Sequence, residues 1–480
     1  MTPAARSSSQ PSSTIAFTSI GYLLISSLLW IVGWFNWWIS IPTCILLMYG
    51  FWNLRHEIRQ SFEENHTISI WYYLFAIGYA CICAFLCGFD GRVSQSWDFI
   101  VRNPIYTHLI EHPWPMELQD GGVVIYPMTF WLVPAALSKA IPSFSILFIQ
   151  IWVAIGLVLV SLNLSQTLGC TRSVLAHICL IFIAPLTLIA DDVLNVVFHI
   201  DAFYSTHFRL LLSTSQLFCT FHFYVALCLI LSLLVYRHTL PKVHLFIAAL
   251  LPLFHPMMSA VLFPWIAYSV LRKQRHERKS WLQLVHPYLY GSILSVILAG
   301  IFFSSASGSE IRIVFEAPHA KGYNIESYAA FLSGIILNTL PLLFIWYFNR
   351  KRVLLYLACC VPVLMLVWMG QDNGICEWWY KFTVPYTFIL IVSALTCWQR
   401  NAVRMMTILL LIVSLPSFLR ELQNKNLPAA AAAGFAQKQQ NIIHPYRTMN
   451  DIDHGLRKQF VSDNVTIPAL FRYQNDSPEK

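Results

Sequence analysis

Apolar runs of about twenty residues, the length that crosses a bilayer core as a helix, recur along almost the whole chain between Thr14 and Leu419. A chain with this pattern has few folds open to it, because no water inside a bilayer can satisfy a backbone group. It forms a bundle of helices. Composition agrees: 57% of the 480 residues are hydrophobic and 11% are charged, against roughly 25% charged in soluble proteins. A soluble enzyme, a disordered chain and a secreted disulfide scaffold are excluded. The expected architecture is all-α, a polytopic transmembrane bundle of about 12–14 spans over residues 14–419. A disordered segment over residues 1–13 precedes it, and an extracytoplasmic polar tail over residues 420–480 follows it. The first apolar run has no clean cleavage site and reads as a retained span.

Several candidate spans are awkward. His244–Leu271 is too long for one straight span and is interrupted at Pro252, His255-Pro256 and Pro264. It reads as a bent or re-entrant pair. Charge parity between Lys139 and Asp191 implies that one helix there is short or does not cross fully.

The net charge of +8 is unevenly spread. Arg55 and Arg59, Arg272 to Lys279, Arg350-Lys351-Arg352, and Arg400 with Arg404 sit just beyond apolar stretches. These are positive-inside signals and place those loops in the cytoplasm. No folded basic domain surrounds them, so nucleic acid is not an expected partner. The 12 cysteines fall mostly within apolar segments and have no paired CxxC spacing, which argues against a zinc site. Four polar segments fall on the opposite side: residues 89–122, 191–216, 305–327 and 371–381.

Chemistry-bearing residues concentrate in these segments. The first holds Asp90, Asp98, Arg102, Asn103 and Trp114, and the cluster continues to Tyr126 just beyond it. A carboxylate can deprotonate a sugar hydroxyl, aromatic faces stack on sugar C–H surfaces, and the arginine fork grips a phosphate. The competing reading is an interfacial aromatic belt with ordinary loop charges. Asp191-Asp192 end an apolar span, so they face a cavity or water. Asp192 could then order a divalent cation or a phosphate-bound substrate, but adjacent acids also occur as a solvated helix end. His199 and Asp201 have no recognised metal spacing, so no metal ligand set is assigned. In Glu377-Trp378-Trp379-Tyr380-Lys381, the Glu and Lys share a helix face at i, i+4 and can pair. His255-Pro256 reads as a helix break, not a ligand site.

At these residues the chain resembles an uncharacterised family of bacterial polytopic membrane proteins, broadly similar to GT-C-type glycosyltransferases. The resemblance is carried by Asp98-Phe99, Arg102-Asn103, Ile105, Leu109-Ile110, Trp114-Pro115, Tyr126, Pro134 to Lys139, Asp192-Val193-Leu194, His199-Ile200, Ser215 to Phe218, and Glu377, Lys381 and Pro385. At the positions of Glu377 and Lys381, family members tend to carry Asp and Arg. The resemblance implies a GT-C-like fold and a polyprenyl-phosphate-linked sugar donor. It implies Asp98 as catalytic base with Asp90 as the alternative, Asp192 as a secondary acid, and Arg102 and Lys381 as phosphate binders. Asn103, Trp114, Tyr126, His199 and Glu377 complete the expected substrate contacts.

The expected function is a glycosyltransferase of the bacterial inner membrane, acting on an envelope glycan, lipid or protein. A polysaccharide polymerase or ligase would use the same parts. A transporter or flippase of lipid-linked glycans would instead hold its acids near the bilayer midplane.

Overall fold

The computed structural model describes residues 12–61, 68–91, 93, 95, 98–118, 122–198, 213–236, 241–276, 287–304, 310–313, 325–370, 377–424 and 461–462. Among them are sixteen α-helices. These are α1 (Ser12–Trp34), α2 (Trp37–Ser61), α3 (Ile70–Leu86), α4 (Phe99–Glu111), α5 (Leu132–Ala140), α6 (Ser145–Leu168), α7 (Cys170–Phe182) and α8 (Leu186–Phe198). They continue with α9 (Ser213–Leu234), α10 (Pro241–Phe254), α11 (Pro256–His276), α12 (Pro287–Ser304), α13 (Ile325–Asn349), α14 (Arg352–Leu366), α15 (Glu377–Thr396) and α16 (Asn401–Asn424). The chain is an all-α helical membrane protein.

The outer surface shows which solvent it meets. On α13, Leu332, Ile336, Leu340, Leu343 and Tyr347 are all exposed. They recur every three to four residues, so one helix face is an apolar stripe turned outward. Ile41, Ile45, Met48 and Trp52 make the same stripe on α2, and Met405, Leu409 and Ile412 on α16. Apolar surface of this extent belongs against lipid. Cys81 and Cys359 also face outward, whereas Cys83 and Cys87 are buried.

Among the described residues, fewer helices have the length and apolarity of a full span than the hydropathy runs imply. Among the described residues five helices are long and apolar enough to cross a membrane, or six if α7 and α8 form one broken span. The reduction has local causes. The apolar run Val123–Ala140 is a two-residue strand, a single 3-10 turn and the nine-residue α5. Helices α3, α10, α12 and α14 are apolar but short. The run Val174–Ala190 is split at Ile183–Pro185, and α7 and α8 meet there at 44°. Proline cannot donate to the preceding turn, and the freed Ala184 N–H donates instead to Ser414 Oγ at 2.9 Å.

His244–Leu271 is interrupted at His255, as expected, whereas Pro252 and Pro264 lie inside α10 and α11 without ending them. Met258 N–H donates to His255 Nδ1 at 3.4 Å, so the histidine caps the start of α11. Thr129 Oγ1 donates to Leu253 O at 2.7 Å on the other side of the break.

Without a hydrophobic driving force in lipid, helices associate through close packing and hydrogen bonds. Helix α12 lies along α2. A Cβ on Gly291 would stand 2.6 Å from Leu47 N and 2.7 Å from Leu46 C. Tyr72 of α3 donates to Ser161 O of α6 at 2.8 Å, and His177 of α7 bonds Ser161 Oγ at 2.8 Å.

Two small antiparallel sheets join polar segments. Glu310–Ile313 (β2) pairs with Val367–Gly370 (β3), so the segments after α12 and α14 share one side of the bundle. Val123–Val124 (β1) pairs with Val461–Ser462 (β4). That brings one point of the tail beside the end of the first polar segment. The rest of the tail from 425 and residues 1–11 lie outside the described residues.

Candidate functional site

The first polar segment is anchored at both ends. Gly88 and Gly91 both adopt positive φ, at 77° and 71°, and turn the chain around Phe89-Asp90. Gln95 Nε2 donates to Gly88 O at 3.0 Å, and Asn103 Nδ2 donates to Gln95 Oε1 at 2.9 Å. This relay fixes α4 against the turn.

Asp98 precedes the first residue of α4, where the helix dipole favours a carboxylate. One turn on, at i+4, Arg102 Nη2 lies 3.3 Å from Asp98 Oδ2. Exposure falls sharply across the pair: the Asp98 side chain is 30% exposed and that of Arg102 6%. Burial works against the guanidinium charge, but Asp98, Tyr126 and Cys219 together outweigh it and raise the Arg102 pKa, keeping it cationic.

From Arg102 the site runs inward along α9. Tyr126 lies within electrostatic range of the guanidinium, and its hydroxyl lies 3.1 Å from His222 Nε2. Helix α9 is kinked at Thr220, whose φ and ψ are −129° and 44°. Thr220 Oγ1 donates to Gln216 O at 2.9 Å. The next three residues, Phe221-His222-Phe223, therefore face the site from the turn after the kink. The His222 ring sits 4.5 Å from that of Trp131, and Phe223 lies 4.6 Å from His255. Lys381 of α15 stands over the same Phe223 ring at 5.0 Å, with Tyr380 on its other side at 4.7 Å. Arg102, Lys381 and His255 all lie within electrostatic range of His222.

Three helices thus bring four basic side chains together with one polar segment. All four are buried. Arg102 Nε and Nη1 and His222 Nδ1 are buried with no acceptor or donor among the described residues. A buried polar atom without a partner costs roughly 1–3 kcal/mol, so donors assembled this way are available to an acceptor from outside the described residues.

Of the residues expected from sequence, Asp98, Arg102, Tyr126 and Lys381 are brought together. Asn103 serves the Gln95 relay. Trp114, joined to Pro115 by a cis peptide bond, donates from Nε1 to Leu109 O at 3.0 Å and packs 5.8 Å from Trp34. Lys139 lies 4.6 Å over its ring and donates to His112 O at 2.6 Å. Trp114 is therefore a clamp between α1, α4 and α5. Asp90 is buried in the Gly88–Gly91 turn.

Asp191 and Asp192 lie within α8, not in a loop, and α8 packs on α13 and α16. Ser417 of α16 hydrogen-bonds the Asp192 carboxylate. Asp192 is thus held by a different group of helices from Arg102. His199 and the Glu377 side chain lie outside the described residues. Among the described residues no three His, Cys, Asp or Glu side chains form a metal-binding group.

His222, His255 and Trp131 were not expected. The available signal for His222 was an ionisable residue in the middle of an apolar run, which inside a membrane is a functional marker by default. His255 does break a helix, and the break turns it toward Phe223 and Lys381.

His108 of α4 predicts a pH response. Burial, with help from His112 and Lys139, pushes its pKa down to about 4. The unfolded side chain, near 6.5, binds its proton first, so His108 contributes stability above about pH 6.5 that is lost as pH falls toward 4. The thermal midpoint should drop over this window, by an amount of order 2 kcal/mol in stability. His108→Asn should flatten that part of the profile, as read by fluorescence-monitored melting in detergent.

No family model, curated protein or solved structure matches this chain.

Proposed function

We propose that this chain is a membrane-embedded, GT-C-like glycosyltransferase. It moves a sugar from a polyprenyl-phosphate-linked donor onto an envelope glycan, lipid or protein at the outer face of the bacterial inner membrane. The observation that carries this reading is the buried Arg102, paired to Asp98 on one side and presenting two unpaired nitrogens beside His222 on the other.

The proposed step follows from the gradient of exposure. The acceptor hydroxyl approaches Asp98, the more exposed partner, and gives it a proton. Its oxygen forms the new bond to the anomeric carbon while the bond to the phosphate oxygen breaks. The phosphate leaves with the electron pair, and its negative charge is met by Arg102 and Lys381. The polyprenyl tail lies along the apolar bundle.

Orientation supports the outer face. His255 and Lys381 lie near the starts of α11 and α15, and His222 lies in the first half of α9. The later parts of the same helices, at Leu234–Tyr236, Arg272-Lys273 and Ile389–Ser393, surround a cavity with Arg350-Lys351-Arg352. Basic helix ends belong to the cytoplasm, so the opposite end, with Arg102, would face outward.

Asp98→Asn tests the assignment. Transfer from a polyprenyl-phosphate sugar should fall at least about 100-fold, the usual worth of a positioned base, with membrane expression unchanged. Wild-type turnover in the variant would refute it. In a strain lacking the chain, mass spectrometry should find the lipid-linked donor accumulated and one envelope sugar missing. If the donor is instead displaced between leaflets with no sugar transferred, the chain is a flippase.

A further inference from the structure

We infer that the cavity at the basic end of the bundle is a second binding site, for the phosphate group of an anionic membrane lipid. The cavity has a volume of about 810 Å³, within the usual range for ligand sites. Five cationic side chains line it, Arg272 and Lys273 from the end of α11 and Arg350, Lys351 and Arg352 from the turn between α13 and α14. No Asp or Glu among the described residues does so. Like charges gathered on one cavity favour an anion there.

The cations are held in place by aromatic rings. Arg350 lies over Trp346 at 4.7 Å and Tyr347 at 5.1 Å, and Arg352 bonds the Tyr268 hydroxyl. A guanidinium stacked by its face keeps its in-plane donors for a phosphate. Arg350 also adopts a φ of 54°, a left-handed turn that glycine would enter without strain. Here the strained turn carries a cation beside two others. His244 Nε2, on the same wall, is buried without a partner among the described residues.

The remaining wall separates a lipid from a soluble phosphate. Leu234, Val235, Trp265, Val353, Ile389 and Val392 line the cavity and suit an acyl chain or glycerol backbone. Basic pockets between helices at the cytoplasmic side hold anionic headgroups by this combination. Along α11, about 17 residues separate His255 from Arg272, or roughly 25 Å at ~1.5 Å per residue. The two sites are distinct, and this inference does not depend on the proposed transfer reaction.

The test uses the full chain in detergent micelles, analysed by native mass spectrometry. Phosphatidylglycerol, phosphatidylcholine of the same acyl chains, and inorganic pyrophosphate are the probes. The wild type should retain phosphatidylglycerol over phosphatidylcholine by about 10-fold. Arg272→Gln/Arg352→Gln, which changes two exposed side chains, should remove that preference, and Lys351→Gln should weaken it. Arg55→Gln/Arg59→Gln, at another basic helix end, should leave it intact. If pyrophosphate binds the wild type and not the double variant, with no lipid preference, the phosphate site stands and its ligand is soluble. Equal retention of both lipids by wild type and double variant, with no difference in pyrophosphate binding, overturns the inference. So does loss of the preference in the Arg55/Arg59 variant alone.

Discussion

Arg102→Gln is expected to abolish sugar transfer, with a loss of at least about 1,000-fold, while Arg102→Lys retains a small residual rate. Two effects combine. The leaving phosphate loses a preorganised donor in a site sheltered from water, which alone costs about 100-fold or more. Asp98 also loses its cationic neighbour at 3.3 Å. Lysine restores a charge but not the planar fork that can hold Asp98 with one nitrogen and a phosphate with others. The Asp98→Asn variant separates the two effects. It should keep donor binding and lose turnover, whereas Arg102→Gln should weaken donor binding as well. Single-turnover kinetics with separate measurement of donor affinity reads the difference. Equal donor affinity in wild type and Arg102→Gln would remove the phosphate from the account.

Gly291→Val is expected to have the largest structural effect. The position is in ordinary helical conformation, so the effect comes from space alone. A Cβ would press on the backbone of Leu46 and Leu47, and backbone cannot rotate away as a side chain can. Helices α2 and α12 would have to separate along their contact. Overpacking costs about 1–3 kcal/mol or more, and in lipid no hydrophobic effect restores the contact. The variant should show a sharply lower thermal midpoint and reduced yield. Gly300→Val, on the same helix with open space around its Cβ position, should behave like wild type. Similar melting of both variants would show that α2 and α12 do not meet at Gly291.

The membrane character and helical class of the chain were legible in its apolar runs, because lipid imposes helix and length together. The span count was not. A run such as Val123–Ala140 has the composition of a span, yet only the tertiary fold decides that it becomes a strand, a tight turn and a nine-residue helix. Asp98 and Arg102 were legible through their clustering with aromatic residues in one polar segment, and their pairing at i, i+4 is what the structure adds. Their partnership with Lys381 was legible only through the resemblance, since hundreds of residues intervene. His222 was hidden by its neighbours: read as one more member of an apolar span, it gave no local sign that the Thr220 kink would turn it toward Tyr126. Asn103 and Trp114 show the converse. Both lie in the right segment and have the right chemistry, but their hydrogen bonds go to the scaffold.

The account's central claim is that Arg102, His222 and Lys381 form a phosphate-binding site at the end of the bundle remote from its basic loops. A cryo-EM structure of the chain with a polyprenyl phosphate tests it most directly. Phosphate density about 3 Å from Arg102 Nη1 and His222 Nδ1, a hydrogen-bonding distance, is the expected result. Density only in the Arg350–Arg352 cavity, with protein groups satisfying every nitrogen of Arg102, would contradict it.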